Sequence, residues 1–247
     1  MVLVAQHANL QCPTTSPAMQ SPRRSKLPNR PDIRAVIFDC DGTLVDSETL
    51  SLAVLIEYVA EFGLEISHRE AMERFAGNEL AVVLGDIESR LGKELPTDFL
   101  DCFRHRQIDR LKLQLKPCDG ADDLLSTLQL PFCVASNAPI SKVKVCLQTT
   151  RLDHHFCEST IFSAYEIEKW KPAPDLFLQA AAALNVAPEH CAVVEDSHFG
   201  IRAGLAAGMH VFAYRPHTTD GLDADTFCLV THLSELSAWF NTAPAGS

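Results

Sequence analysis

The sequence predicts an α/β protein with a parallel-sheet core and a long all-helical insertion. After residue 116, short apolar segments alternate with helical patterns, which is the order expected of a parallel sheet with crossover helices. One further apolar segment, residues 34–39, comes much earlier and is followed only by helical patterns until residue 115. The chain has 247 residues and is 47% hydrophobic, so it can bury a substantial core.

The predicted insertion begins soon after the first strand, RAVIFD at residues 34–39. Ser67 and Glu70 have the spacing of a capping box, which predicts a helix start there, and Thr97 is expected to cap a later helix. The predicted helices are 48–62, one that starts at Ser67, 79–91 and 98–115. Residues 47–115 are therefore expected to form a separate helical domain.

The remaining chain supplies the other strands of the sheet and their helices. The predicted strands are 131–136, a short one near Ile161 and Phe162, 191–195, 209–214 and 227–230. The predicted helices are 120–129, 139–149, 175–184, 199–207 and 233–240. The core domain thus comprises residues 31–46 and 116–247. Ligands bind beyond the carboxyl ends of strands in such sheets, so an insertion after the first strand is expected to lie over the site as a lid.

The overall charge excludes some classes of partner. The net charge is -11, whereas a general nucleic-acid binder needs a basic face. An anionic substrate must then be attracted by a local group of residues and not by the whole molecule. No apolar stretch is long enough for a membrane helix or a secretory signal, so no membrane partner is predicted.

Residues 1–30 differ in composition from the rest of the chain. They carry four basic residues, four prolines and no acid, while the rest has 17 basic and 32 acidic residues. This segment is expected to be a disordered extension. Its acid-poor composition loosely resembles a transit peptide, but the prolines oppose the amphipathic helix that such a peptide needs.

The nine cysteines do not have the pattern of a disulfide framework. Their number is odd, none forms a CxxC pair, and several lie in apolar segments such as PFCVAS and HCAVVE. They are interpreted as small buried side chains in a reducing compartment. A cytoplasmic location is the resulting expectation.

Two carboxylates end the first predicted strand. Asp39 and Asp41 are separated by one residue, so they point to the same side of the strand and can reach one pocket. Like charges that close repel each other unless a cation lies between them. With Mg²⁺ present, one carboxylate can stay ionised as a nucleophile and metal ligand, and the other can carry a proton. An Asp-rich turn or helix cap is the alternative reading of this motif alone.

Later strand ends carry complementary groups. Ser136 and Asn137 end a strand just before a helix and can form an anion seat with backbone N–H groups. Lys171, between flanking prolines in KWKPAPD, offers a fixed ammonium that can neutralise a phosphate and the attacking aspartate. Glu195 and Asp196 end the strand VVED with the hard oxygen ligands that Mg²⁺ prefers. Each alone could be a cap or a surface residue, but together they match the needs of phosphoryl transfer.

This combination resembles the haloacid dehalogenase superfamily of phosphotransferases. The matching motifs are DCDGT at 39–43, Ser136, Lys171 and Glu195–Asp196, and the resemblance covers residues 34–240. The resemblance implies a Rossmann-like parallel core with a helical cap domain inserted after the first motif. It also implies Mg²⁺ as cofactor and a small phosphorylated metabolite as substrate.

The resemblance also assigns roles to individual residues. Asp39 would be the nucleophile that becomes an aspartyl phosphate, and Asp41 the general acid and then the base. The phosphate-binding residues would be Thr43, which supports the loop, with Ser136, Asn137 and Lys171. The metal site would comprise Asp39, the backbone carbonyl of Asp41, Asp196 as a direct ligand and Glu195 as a nearer or water-mediated partner.

Three branches of the family differ from this chain at residues that their chemistry requires. A dehalogenase lacks the second aspartate, so Asp41 opposes that activity. Enzymes like β-phosphoglucomutase carry a histidine about a dozen residues after the nucleophile, where this chain has Ser51. Phosphonate hydrolases use a lysine of the cap, and the first predicted cap helix, 48–62, contains none.

Finer patterns resemble one subgroup of the β-phosphoglucomutase-like branch. LPFCVASNAPISK, FSAYEIEKWKPAPD and RFAGNEL are similar to a bacterial group of sugar-phosphate phosphatases that includes 6-phosphogluconate phosphatase. The predicted residues that contact the non-phosphate half of the substrate are Glu48, Arg74, Gly77, Asn78 and Trp170. Each could instead be a solvated or packing residue.

The resulting prediction is an Mg²⁺-dependent hydrolase of small sugar or sugar-acid phosphates that acts as a monomer. A phosphosugar mutase is the first alternative, and Ser51 argues against it. A non-catalytic binding module on the same fold is the second, and the intact chemical motifs oppose it.

Overall fold

The computed structural model describes residues 31–75 and 80–240. Its core is one sheet of six parallel strands, in the order β3-β2-β1-β4-β5-β6. The strands are β1 (Ala35–Phe38), β2 (Phe132–Ser136), β3 (Ile161–Ser163), β4 (Cys191–Glu195), β5 (His210–Tyr214) and β6 (Phe227–Val230). The predicted parallel-sheet core is confirmed, including the position of every strand.

The central strand places the chemistry at one edge of the sheet. β1 lies between β2 and β4, and Phe38 pairs with Val134 on one side and with Val194 on the other. All four residues of β1 are fully buried, because crossover helices cover both faces of the sheet. Parallel strands end at the same edge, so the residues that follow Phe38, Val134 and Val194 converge there.

Ten α-helices are described. They are α1 (Glu48–Ala60), α2 (His68–Phe75), α3 (Leu80–Leu91), α4 (Phe99–Gln114), α5 (Ala121–Thr127), α6 (Ile140–Thr150), α7 (Ala164–Ile167), α8 (Asp175–Ala183), α9 (His198–Ala206) and α10 (Ser237–Phe240). Helices α1–α4 lie between β1 and β2 in sequence, as expected of the inserted segment. Helices α5–α9 alternate in sequence with the strands β2–β5.

Helices α1–α4 have a hydrophobic core of their own. Its aromatic centre contains Tyr58, Phe62 and Phe99, with the rings of Tyr58 and Phe99 stacked at a centroid distance of 4.5 Å. The sheet is packed by two other clusters, one on each face. Much of the apolar burial that stabilises the four helices is therefore internal to them.

The chain leaves and re-enters the sheet through two adjacent segments. Asp46 N–H donates to Lys116 O at 3.0 Å, and Cys118 N–H donates to Leu44 O at 2.9 Å. The loop after β1 is closed by Gly42 N–H, which donates to Val45 O at 2.8 Å. The two connections to the helices therefore lie directly beside the loop that carries Asp39 and Asp41.

Several local predictions differ from the structure. Ser67 caps α2 through Glu70 N–H at 3.2 Å, but the Glu70 carboxylate pairs with Arg90, so the reciprocal half of the predicted capping box is replaced. Asp98, not the predicted Thr97, precedes α4. The segment predicted as one helix at 233–240 is a 3₁₀ turn, Leu233–Leu236, followed by α10. Helix α7 was not predicted.

Two other predictions meet the limits of the described chain. The predicted extension, residues 1–30, lies outside the described residues. Across the described ranges, none of the helices combines the length and apolarity that crossing a bilayer requires. The eight cysteines in those ranges are free thiols. Five of them are buried as expected, but Cys102 and Cys118 are partly buried and Cys157 is exposed.

Candidate active site

A cleft of about 770 Å³ lies between the sheet edge and the helices of the insertion. Its floor comes from the strand ends and includes Asp39, Ser136 and Glu195, and its roof includes side chains of α1, α3 and α4. The volume is within the usual range for a small-molecule site. The sequence-predicted strand-end residues and the inserted helices therefore meet at one place.

Lys171 is held at the floor by three acceptors. Its ammonium lies 2.5 Å from Asp39 Oδ1, 2.6 Å from Glu195 Oε1 and 2.9 Å from the backbone oxygen of Ala135. The side chain is 2% exposed and also lies over the ring of Phe177. Burial by itself lowers the pKa of Lys171, but the two carboxylates outweigh it and the pKa lies above its ordinary value. Lys171 is thus a fixed cation at neutral pH.

Asn137 positions the backbone of Lys171. Its Oδ1 accepts from the backbone N–H of Lys171 at 2.9 Å, and its amide nitrogen donates to Lys171 O at 3.4 Å. Ser136 is buried, lines the cleft, and its hydroxyl accepts from Ala138 N–H at 3.0 Å. The hydroxyl proton of Ser136 can then point to an anion in the cleft.

Asp39 is a buried carboxylate among other carboxylates. Burial first, and then the neighbouring Glu195 and Asp41, raise its pKa to about 8 against the opposing effect of Lys171. Asp196 has a pKa well above its ordinary value for the same reasons, burial first and then Glu195, Asp39 and Glu48. These acids are crowded beyond what the nearby lysine can compensate.

Glu195 is engaged on both oxygens. Oε1 accepts from Lys171, and Oε2 accepts from Ser197 N–H at 2.8 Å and from the Ser197 hydroxyl at 2.9 Å. A Cβ at Gly200 would lie 1.8 Å from this carboxylate, so only glycine fits beside it. These contacts favour Glu195 as the residue that orients Lys171, and a direct metal contact by Glu195 stays a prediction.

Asp196 is placed by the loop after β1. A Cβ at Gly42 would lie 1.9 Å from Asp196 Oδ2, and Gly42 has a φ of +81°, a conformation that favours glycine. Thr43 Oγ1 donates to Asp196 Oδ1 at 3.4 Å. Thr43 is fully buried and is not among the described residues that line the cleft, so it supports Asp196, and its assignment to phosphate binding stays a prediction.

Asp41 has two partners that the sequence did not reveal. Lys142 Nζ lies 2.9 Å from Asp41 Oδ1, and the Ser47 hydroxyl donates to the same oxygen. Burial raises the pKa of Asp41, but the charge and hydrogen bond of Lys142, with Ser47, bring it below its ordinary value. Lys142 lies in the quoted stretch SNAPISK, on the first turn of α6, which was the available signal.

The five predicted specificity residues are placed differently from one another. Glu48 and Trp170 line the cleft, and the Glu48 carboxylate accepts a hydrogen bond from the His217 ring. Arg74 does not line the described part of the cleft, because it pairs with Asp86 at 2.5 Å beside a smaller depression. Gly77 and Asn78 lie outside the described residues.

The roof of the cleft contains residues that sequence reasoning missed. Arg104 and Gln107 lie on one face of α4, and Gln107 donates to the Ser51 hydroxyl at 2.8 Å. Arg104 donates to the Tyr165 hydroxyl of α7 at 3.0 Å, which links the insertion to the core. Tyr165 in turn packs edge-on against Trp170 at a centroid distance of 5.5 Å. A surface residue of a long helix gives no sequence signal for such a contact.

A second group of metal-ligand side chains lies outside the cleft. Asp122 Oδ1 is 2.8 Å from His155 Nε2 and 3.9 Å from His154 Nε2. Asp122 and His154 are exposed, and none of the three lines the cleft. Measurements of metal binding to this chain must therefore distinguish the two places.

Comparison with known proteins identifies relatives across the described fold. The sequence profile of the haloacid dehalogenase-like hydrolases matches residues 36–214. The 6-phosphogluconate phosphatase of Escherichia coli (strain K12) is 36% identical over 207 residues, which are 83% of this chain and 93% of that protein.

Similar solved structures also belong to the haloacid dehalogenase family. A haloacid dehalogenase-like protein of unknown function from Agrobacterium tumefaciens is 32% identical, with a TM-score of 0.71 over 83% of this chain and 96% of that one. A hydrolase of the same family from Deinococcus radiodurans, crystallised with phosphate and sodium, is 28% identical with a TM-score of 0.70, covering 87% and 99% of the two chains.

Proposed function

The chain belongs to the haloacid dehalogenase-like hydrolase family, and from this premise we propose that it is an Mg²⁺-dependent phosphatase of small sugar or sugar-acid phosphates. The observation that carries the proposal is the buried group of Asp39, Lys171 and Glu195 at the sheet edge, with Asp41 and Asp196 beside it. It combines a nucleophile, a fixed cation and a set of metal ligands within one cleft.

In the first step, the ionised form of Asp39, which Lys171 and a bound divalent cation would favour, attacks the phosphorus atom in line with the leaving oxygen. The new bond joins a carboxylate oxygen of Asp39 to phosphorus, the ester bond breaks, and Asp41 gives its proton to the leaving oxygen. Lys142 favours the ionised form of Asp41 in the free protein. The arriving phosphate is a like charge, which raises the pKa of Asp41 and favours the uptake of the proton that it must donate.

In the second step, water attacks the phosphorus of the aspartyl phosphate. Asp41, now ionised, accepts the proton of the water, and the bond between phosphorus and Asp39 breaks to release phosphate. Lys142 favours Asp41 as a base at this stage. Lys171, Ser136 and backbone N–H groups stabilise the oxygens of the phosphoryl group in both steps.

The residues present fit a divalent cation. Asp39, Asp41, Glu195 and Asp196 face only two lysines, Lys142 and Lys171, within the described floor of the cleft. The raised pKa values of Asp39 and Asp196 are the expected result of this surplus of negative charge. Asp39, the carbonyl of Asp41 and Asp196 would hold Mg²⁺, which supplies charge stabilisation for the phosphoryl oxygens when bound.

The substrate class is supported by the relative and by the cleft. The 36% identical relative is named for 6-phosphogluconate, a sugar-acid phosphate. The roof offers the polar groups of Ser51, Arg104 and Gln107 among apolar side chains such as Leu52 and Phe103. This mixture suits a small polyol chain better than a large planar base.

Two alternatives remain from the sequence. A phosphosugar mutase is opposed by Ser51, whose hydroxyl donates to Ser47 O at 2.7 Å and cannot act as a histidine would. A binding module without catalysis is opposed by the ion pair of Asp39 with Lys171, since both groups of the chemistry are assembled. Monomeric state and cytoplasmic location stay predictions.

The test is phosphate release with Mg²⁺ from a panel of esters. The panel contains 6-phosphogluconate, hexose phosphates, glycerol phosphates, nucleotides and pyrophosphate, with Asp39→Asn as the blank. Release from sugar or sugar-acid phosphates that is lost in the blank supports the proposal. Turnover confined to nucleotides or pyrophosphate refutes the substrate class, and isomerised sugar phosphate without free phosphate favours the mutase.

A further inference from the structure

Arg104 is an exception among the arginines of the inserted helices. Within the described parts of that segment, the other arginines all pair with a carboxylate: Arg69 with Glu73, Arg74 with Asp86, Arg90 with Glu70, Arg106 with Glu61 and Arg110 with Glu57. Arg104 has no carboxylate partner in the described residues and instead donates to the neutral hydroxyl of Tyr165.

Arg104 also differs from these arginines in where it lies. It lines the cleft between α4 and the sheet edge. Among the arginines of the described insertion, Arg104 alone lines that cleft. Arg106, two residues along the same helix, is exposed and its guanidinium pairs with Glu61 and lies over the Tyr58 ring. One helix thus directs a charge-compensated arginine outward and an uncompensated one into the cleft.

Several other charged side chains that line the cleft have a charged or imidazole partner, which Arg104 lacks in the described chain. Lys171 and Lys142 at the floor are paired with Asp39, Glu195 and Asp41, and Glu48 bonds with His217. The half-buried Arg104 therefore lies on the roof of the cleft, away from the floor of strand ends, without a carboxylate partner among the described residues. A partly desolvated charge without a partner is costly, and a ligand that supplies the partner is bound more tightly for that reason.

We propose that Arg104 is a specificity residue that binds a carboxylate on the leaving-group half of the substrate, so that the enzyme prefers sugar-acid phosphates to neutral sugar phosphates. This inference rests on the proposed phosphatase function. A single guanidinium matches a singly charged carboxylate through two parallel N–H···O bonds. A second phosphate would carry about two charges and would call for more donors than Arg104 and Tyr165 provide.

The test compares two acyclic substrates that differ at one carbon. 6-Phosphogluconate and glucitol 6-phosphate share the phosphate and the polyol chain, but the first ends in a carboxylate and the second in a hydroxymethyl group. For the unmodified protein, kcat/KM is expected to be about 10 to 100 times higher for 6-phosphogluconate, the usual effect of one charge-assisted hydrogen bond to a partly buried group.

Arg104→Met should lower kcat/KM far more for 6-phosphogluconate than for glucitol 6-phosphate and so bring the ratio to near one, because only the first substrate loses a carboxylate contact. Arg104→Lys should retain part of the ratio, since a point charge replaces the planar fork. Arg106→Met is the matched control on the same helix and should leave the ratio unchanged.

Tyr165→Phe separates recognition from closure of the insertion over the core. It removes the link between α4 and α7 but keeps the guanidinium, so most of the ratio should survive. An equal fall of both substrates in Arg104→Met and Tyr165→Phe would overturn the proposal in favour of a structural link. A preference for a hexose bisphosphate that depends on Arg104 would overturn the choice of carboxylate.

Failure of the proposed phosphatase function can be distinguished from failure of the role proposed for Arg104. If the unmodified protein releases phosphate from neither substrate, the proposed substrate class fails and this inference fails with it. If it turns over both with a ratio that Arg104→Met leaves intact, the phosphatase proposal stands and the assignment of Arg104 is wrong.

Discussion

At the scale of single residues, the two catalytic aspartates are held in opposite electrostatic states. Burial and nearby carboxylates favour the protonated form of Asp39, whereas Lys142 and Ser47 favour the ionised form of Asp41. Asp39 is the more deeply buried of the two, with a side chain that is 9% exposed against 29% for Asp41, and the two acids also have different partners. Lys142 is then a positioning residue for the proton that Asp41 transfers.

Removal of that lysine should slow the reaction without unfolding the protein. In Lys142→Met, the pKa of Asp41 rises and its carboxylate loses one of two fixed hydrogen bonds, so kcat should fall about 10- to 100-fold, within the range of a general acid–base contribution. Since Asp41 must be ionised to serve as the base, the pH profile of kcat should also shift to higher pH.

Lys144→Met is the control for this prediction. Lys144 lies two residues along α6 and pairs with the exposed Glu158. Steady-state kinetics from pH 5 to 9 would measure both variants. An unshifted profile in Lys142→Met, or equal losses in the two variants, would contradict the role given to Lys142.

Three of the site residues that the sequence predicts are tied to strand ends, whereas Lys171, also predicted, lies in the loop between α7 and α8. Asp39, Ser136 and Asp196 each follow a short apolar segment, so the periodicity that locates the strand also locates the side chain. Lys142 and Arg104 come from helix surfaces whose partners are distant in sequence, 101 and 61 residues away. Only the tertiary packing decides which face of such a helix meets the cleft.

At the scale of elements, the inserted helices depend on their own aromatic cluster. Phe99 is 2% exposed and contacts the rings of Tyr58 and Phe62. These contacts join α4 to α1. Helix α1 follows the first connection from the sheet, and α4 precedes the connection that returns to it. The cluster is thus the place where the insertion can be weakened selectively.

Phe99→Ala should destabilise the insertion by about 3–5 kcal/mol, the usual cost of deleting a buried aromatic ring. Because the cluster lies within the four helices, hydrogen exchange should quicken in α1–α4 while β1, β2 and β4 keep their protection. Leu113→Ala is the control, since that side chain of α4 is 81% exposed. Uniform loss of protection across sheet and insertion would show that the two unfold as one unit.

Element types were predictable where the pattern was long or the strand fully apolar. Fully buried strands such as β4 appear as continuous apolar segments in the sequence, and they were found. The four-residue α7 offers no periodicity, yet it carries Tyr165 to the mouth of the cleft. The sequence predicts an α-helix at the C-terminal 3₁₀ turn because the two helix types have nearly the same apolar spacing over one turn.

At the scale of the whole molecule, the cleft has a surplus of carboxylates over lysines, and a bound cation would reduce the repulsion among them. The folded chain raises the pKa of Asp39 from 3.8 to about 8, so the folded state binds a proton more tightly than the unfolded state does. For such a group, folding stability falls as pH rises between these two values. The metal-free protein should therefore lose stability from pH 4 to pH 8 through Asp39.

Thermal unfolding in a chelator would measure this effect. Asp39→Asn should have a flatter dependence of Tm on pH than the unmodified protein and should be the more stable of the two at pH 8. Mg²⁺ should raise the Tm of the unmodified protein more at pH 8 than at pH 6, because the ligands must be deprotonated to bind it.

Asp109→Asn serves as the control, because Asp109 is an exposed acid of α4. His154→Ala excludes the exposed histidine group as the source of a metal effect. An Asp39→Asn curve parallel to that of the unmodified protein would contradict the predicted linkage.

The most direct test of the account is to find the phosphoryl group on Asp39. The protein is mixed with Mg²⁺ and 6-phosphogluconate labelled in its phosphate, quenched in acid within one turnover, and digested for peptide mapping. We expect a label that hydroxylamine removes, on the peptide with Asp39, and none in Asp39→Asn. A label on another residue, or steady phosphate release by Asp39→Asn, would show that Asp39 is not the nucleophile.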